Sequence, residues 1–154
     1  MPDGRCSQHT LATLHIAFTV ERGYACIMAK DVAGGVVVRH TETLHCTPDD
    51  YWWRTFWLAC ILTAPKQPEA VIFYTDGEEV ADTIKQFQVS EVIEKGTGRF
   101  RRQYSSVAGL DKKHPHYAYV RSTVPLLNEF WPGRWQIASV PSHRLKDTKL
   151  LALR

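Results

Sequence analysis

Lys95, Arg99, Arg101, Arg102, Lys112 and Lys113 crowd one stretch of the chain, with Phe100 and Tyr104 among them. Arginine forks and lysine point charges grip phosphate oxygens without help from a metal, so this cluster reads as a nucleic-acid-binding surface; the plainer alternative is a solvated loop. Trp52, Trp53 and Trp57 form a second group. Indole faces can stack on bases, but Trp53 and Trp57 are spaced for the buried face of a helix. Trp52 falls on another face, where a large apolar side chain suits a partner surface. Asp76 ends an apolar run ahead of Gly77 and is placed to cap a following helix. His114 with His116, and His40 with His45 and Cys46, invite a metal, yet neither set has a known ligand framework, and structural or solvent-facing roles are the expectation.

The elements that position these groups must come from one domain. With 154 residues, 44% hydrophobic and 23% charged, the chain can bury a core over its full length, 1–154, which excludes a disordered tail. A formal net charge of +3 is too small to imply a polyanionic partner, so the clustering of cations carries that question. Cysteines at 6, 26, 46 and 60 write neither a redox pair nor a zinc ribbon, and read as reduced and mostly buried. No run reaches the roughly 18 apolar residues of a membrane span, and no signal peptide is legible; a soluble, intracellular protein with no membrane partner is expected.

Leu14–Val20 and Tyr24–Ala29, separated by Glu21-Arg22-Gly23, predict two antiparallel strands joined by a tight turn. Val36–Leu44, after a turn at Asp31–Gly35, predicts a third. Thr47-Pro48-Asp49-Asp50 is a helix start, and Trp53, Phe56, Trp57, Cys60 and Ile61 mark one wide apolar face that stops at Ala64-Pro65. The continuous apolar run Ala70–Thr75 predicts a central parallel strand, followed by a helix from about Glu78 to Phe87. The basic excursion spans about 89–116. A helix over Tyr117–Phe130, crossing Pro125, a strand over Trp135–Val140 and a closing helix over Lys146–Leu153 complete the chain. The prediction is an α/β fold with a mixed five-stranded sheet and helices on both faces.

The order βββαβα, basic excursion, αβα resembles the ribonuclease H-like fold, and the chain resembles type 1 ribonuclease H over nearly its whole length. Phe18-Thr19-Val20 is similar to that family's first strand and Arg22–Ile27 to its second. Val71–Gly77 is similar to a fourth strand ending in an acid, and Gln136–His143 to the last strand and the entry to a histidine loop. The resemblance implies four carboxylates around two Mg²⁺ ions that activate a water for phosphodiester cleavage. It assigns Asp76 and Asp147 as remnant catalytic carboxylates, although Asp147 also reads as a solvated helix acid. It leaves two positions without an acid, at Val20 and near Trp52 or Trp53. The segment His143–Asp147 is short for the histidine loop, so His143 has no assured part in proton transfer.

The expected function is therefore a catalytically degenerate ribonuclease H-like domain. It would bind an RNA–DNA hybrid or a duplex, or a protein partner that handles nucleic acid, with no resident metal. Two alternatives stand beside it. One is an active endonuclease that uses Mg²⁺ or Mn²⁺ at Asp76 with Asp147 and rearranged acids such as Glu21 or Asp49. The other is an assembly module in which Trp52 and the basic loop face another subunit.

Overall fold

The computed structural model describes residues 12–87, 90–93, 100–103, 113 and 116–153. Strands β1 (Thr13–Glu21), β2 (Tyr24–Lys30) and β3 (Val36–Thr43) form the antiparallel meander. Arg22 and Gly23, at φ 54° and 79°, both take the left-handed conformation that a two-residue hairpin turn needs to match the twist of its strands. A turn of 3₁₀ helix at Pro48–Asp50 leads into α1 (Tyr51–Thr63), and β4 (Ala70–Thr75) then pairs parallel with β1. Helix α2 (Glu78–Lys85) follows. Strands β5 (Ser90–Ile93) and β6 (Phe100–Gln103) pair antiparallel as a separate ribbon. After α3 (Tyr117–Phe130), β7 (Trp135–Ser139) pairs parallel with β4, and the chain closes through 3₁₀ turns around the single-turn helix α4 (Lys146–Lys149). The sheet order is β3-β2-β1-β4-β7, the mixed five-stranded arrangement expected from the sequence.

The basic excursion, for which the sequence predicts no strand, contains the β5–β6 ribbon. The closing helix predicted over Lys146–Leu153 is α-helical for one turn only.

The sheet has one thickly covered face. Leu14, Ile16 and Phe18 of β1 alternate into it, meeting Phe56 of α1, Phe73 of β4 and residues of α2 and α3 in one continuous core. Phe18 lies 5.2 Å from Phe56 and 6.2 Å from Phe73 between ring centroids. On the other face, Cys26 and Met28 meet Leu151 of the C-terminal segment in a small separate cluster. Cys26, Cys46 and Cys60 are free, and burial raises the thiols of Cys26 and Cys60, which keeps them protonated and unreactive. Pro125 sits inside α3, where it removes one backbone donor without ending the helix.

Candidate functional site

The parallel register of β1 and β4 decides what surrounds Asp76. Phe18 pairs with Thr75, so the next residue of each strand, Thr19 and Asp76, emerges at the same end of the sheet. The strand alternation that buries Phe18 in the main core turns Thr19 the other way, and its hydroxyl donates to Asp76 Oδ1 at 2.7 Å. Trp52, in the first turn of α1, donates its indole N–H to the same oxygen at 3.0 Å. From α4, Lys149 Nζ lies 3.2 Å from Asp76 Oδ2, with Glu21 Oε2 at 4.0 Å beyond it. The Asp76 side chain is 11% exposed and that of Lys149 22%.

Burial alone would push the Asp76 carboxyl up. The hydrogen bonds from Thr19, Trp52 and Lys149, and the Lys149 charge, outweigh it and hold the group below the usual carboxylate range. The carboxylate therefore stays ionised and its lone pairs are directed at three donors.

Gly77 makes this packing possible. A Cβ there would lie 2.4 Å from Trp52 Cδ1 and 2.7 Å from Cγ, so only glycine lets the indole rest against the start of α2. Asp76 does not cap that helix, as its sequence position suggested: the cap residue is Gly77, no side chain caps it, and the carboxylate is taken up by the cluster. Thr47 likewise bonds the Asp50 carboxylate at 3.2 Å and caps no backbone group.

The sequence-predicted site residues are only partly brought together. Asp76 and Trp52 meet directly, and Trp52 is half-buried against Asp76 rather than standing free on an outer face. Val20, read as the first-strand position that lacks an acid, belongs to the main core, and it is Thr19 that meets Asp76. Asp147 is exposed and lines clefts along the C-terminal segment, while Lys149 supplies the contact from α4. Strand parity could have found Thr19. Nothing in a one-turn helix could have singled out Lys149 over Asp147.

Asp49, Glu78 and Glu79 line a cleft of about 190 Å³ together with Trp52, Trp53 and Asp76. Glu79 is already engaged: its Oε1 lies 2.5 Å from Nε2 of His116, whose ring stacks on Trp53 at 5.1 Å and whose Nδ1 lies 3.5 Å from Asp50 Oδ1. His116, 9% exposed, thus has the structural role expected from sequence and ties the start of α3 to α1 and α2. His40 bonds Glu42 at 2.7 Å. Among the described residues, no three His, Cys, Asp or Glu side chains converge in a metal-holding group. The donor set at Asp76 also fits a divalent cation poorly. Mg²⁺ requires several anionic or neutral oxygens, whereas here one carboxylate faces an ammonium and two groups that already donate to it.

Of the cationic cluster, Arg101 and Arg102 stand on β6 opposite Val92 and Glu91 of β5, and Lys113 is exposed. Lys95, Arg99 and Lys112 lie outside the described residues. No helix among the described residues is long and apolar enough to cross a membrane.

No protein-family model matches the chain, and no curated protein matches it. Among solved structures it is similar to the crystal structure of RNase H1 from the halophilic archaeon Halobacterium salinarum NRC-1, with a TM-score of 0.61 and 15% sequence identity, covering 91% of this chain and 94% of that one. The likeness establishes a ribonuclease H-like fold for the chain.

Proposed function

We propose that this ribonuclease H-like chain binds nucleic acid through its basic excursion and has no metal-dependent nuclease activity of its own. The observation that carries the reading is the Lys149 ammonium 3.2 Å from Asp76. At the strand end where the fold's nucleases gather carboxylates around two ions, Asp76 is already neutralised by a cation from its own chain. Trp52 offers a hydrogen where a metal needs an oxygen lone pair, and the Thr19 hydroxyl is turned to donate to the same carboxylate.

Binding then rests on phosphate contacts from Lys95, Arg99, Arg101, Arg102, Lys112 and Lys113, and is salt-dependent with little base preference. An RNA–DNA hybrid or a duplex is the natural ligand for a surface that recognises shape and phosphate. The two halves of the proposal are tested together on a labelled RNA–DNA hybrid. Retention at low salt with no cleavage in Mg²⁺ or Mn²⁺ is expected, and replacing Arg99, Arg101 and Arg102 by Ala should flatten the salt dependence by about one unit of slope per lost contact. Cleavage that Asp76→Asn abolishes would instead make the chain an active endonuclease, and an unchanged salt slope would remove the excursion from the binding surface.

A further inference from the structure

The thinly covered face of the sheet carries a cleft of about 270 Å³ that the Asp76 cluster does not use. Its floor comes from the strands: His15 and Ala17 of β1, Met28 and Lys30 of β2, and Tyr74 of β4. The C-terminal segment supplies the opposite wall, with Arg144, Leu145 and Asp147. The β1 alternation that sends Leu14, Ile16 and Phe18 into the main core sends His15 and Ala17 to this side, where, among the described residues, one short helix and its 3₁₀ flanks cover them.

Three features give the cleft a chemical preference. His15 Nδ1 and the Tyr74 hydroxyl are hydrogen-bonded at 2.9 Å, and their rings lie within 16° of parallel with centroids 5.9 Å apart. Held by that bond, the two near-parallel rings present one aromatic surface, the His15–Tyr74 tile, against which a planar ring can stack. Lys30 and Arg144 supply two positive charges, and neither has an ion-pair partner among the described residues. Asp147, equally without a partner, sets one negative charge on the same wall and favours a ligand that presents a hydrogen-bond donor there. The volume lies just under the usual range for small-molecule pockets, which suits a ligand of mononucleotide size or smaller and excludes a dinucleotide.

We infer that this cleft is a binding site for a small planar aromatic anion: a ring seated on the His15–Tyr74 tile, its phosphate or carboxylate held by Arg144 and Lys30, and an amino or hydroxyl group facing Asp147. A nucleoside monophosphate and an amino-substituted aromatic carboxylate share that chemistry. The site is separate from the reading of the Asp76 cluster and stands or falls without it.

Calorimetric titration of the full chain with AMP in one arm and aminobenzoate in the other tests the inference, with inorganic phosphate as the control that lacks a ring. Saturable binding in either arm is expected, and the arm that binds more tightly identifies the anion as nucleotide or carboxylate. Arg144 is exposed, so Arg144→Ala should leave the fold intact while weakening binding on the order of tenfold, the loss of one charge-assisted contact. Ala17→Leu, which fills the floor, should abolish it, with circular dichroism confirming that the variant is folded. The inference is overturned by the absence of saturable binding in both arms, by phosphate binding as tightly as AMP, or by affinity that neither Arg144→Ala nor a folded Ala17→Leu changes.

Discussion

Lys149 Nζ lies 3.2 Å from Asp76 Oδ2, joining the last helix to the end of the central parallel strand by an ion pair that is mostly shielded from water. This contact draws the C-terminal segment over the second face of the sheet. Together with the Thr19 and Trp52 hydrogen bonds, it makes Asp76 a hub between β1, α1, β4 and α4.

The hub makes stability depend on pH in a defined direction. The folded-state carboxyl of Asp76 is held below its unfolded value, so its contribution is fully present above the ordinary carboxylate range and is lost as pH falls through the folded-state value. Asp76→Asn should therefore destabilise the chain by about 1–3 kcal/mol at neutral pH, with the gap from the parent closing in acid. Urea denaturation of both proteins across that range is the measurement; a gap that widens in acid would contradict the assignment.

Removing the other partner should act less strongly. Lys149→Met leaves Asp76 with its two neutral donors, and because the ammonium is partly exposed a loss of about 1 kcal/mol is expected. The Asp76 carboxyl should also move up toward the ordinary range, which carbon-detected NMR titration of that side chain would read directly.

Gly77→Ala tests the packing that seats Trp52. The added methyl would meet the indole near its root, where it has little room to swing, so a loss of about 1–3 kcal/mol is expected. A change in tryptophan fluorescence should accompany it if Trp52 leaves Asp76.

Thr19 and Val20 make a paired test of strand facing. Thr19→Val should cost about 1 kcal/mol through the lost hydrogen bond, measured by thermal or chemical unfolding. Val20→Asp places a charge in the main core, where Val20 is 8% exposed, and should unfold the chain or cost several-fold more. The opposite ranking would return Val20 to the site.

Rebuilding the acids should create what the natural residues do not provide. The combination Thr19→Asp, Trp52→Glu and Lys149→Asp surrounds Asp76 with carboxylates, and Mn²⁺ should then bind and raise the melting temperature, an effect absent from the parent. Paramagnetic relaxation and thermal unfolding with and without Mn²⁺ give the result. Equal response of parent and variant would mean that these three positions do not govern metal affinity.

Much of the architecture was written locally. The strand and turn signals of the meander, the Pro48 helix start, the buried Trp53–Phe56–Cys60 face and the apolar β4 run each follow from periodicity and punctuation over a few residues, and together they point to a mixed five-stranded sheet. Even the Thr19 position was present in the β1 alternation. A one-residue slip toward Val20 exchanges the two faces of a strand, and the seating of Leu14, Ile16 and Phe18 in the core pins the register. What the tertiary structure alone decided is the company Asp76 keeps. Asp147 and Lys149 differ by about 200° around a helix axis, and a single turn has no repeat from which to tell its inner side. Trp52 reads as an outward residue until β4 and Gly77 arrive beneath it. These contacts join four elements distant in sequence, and the energy that chooses them is realised only when the sheet and its covering segments have packed.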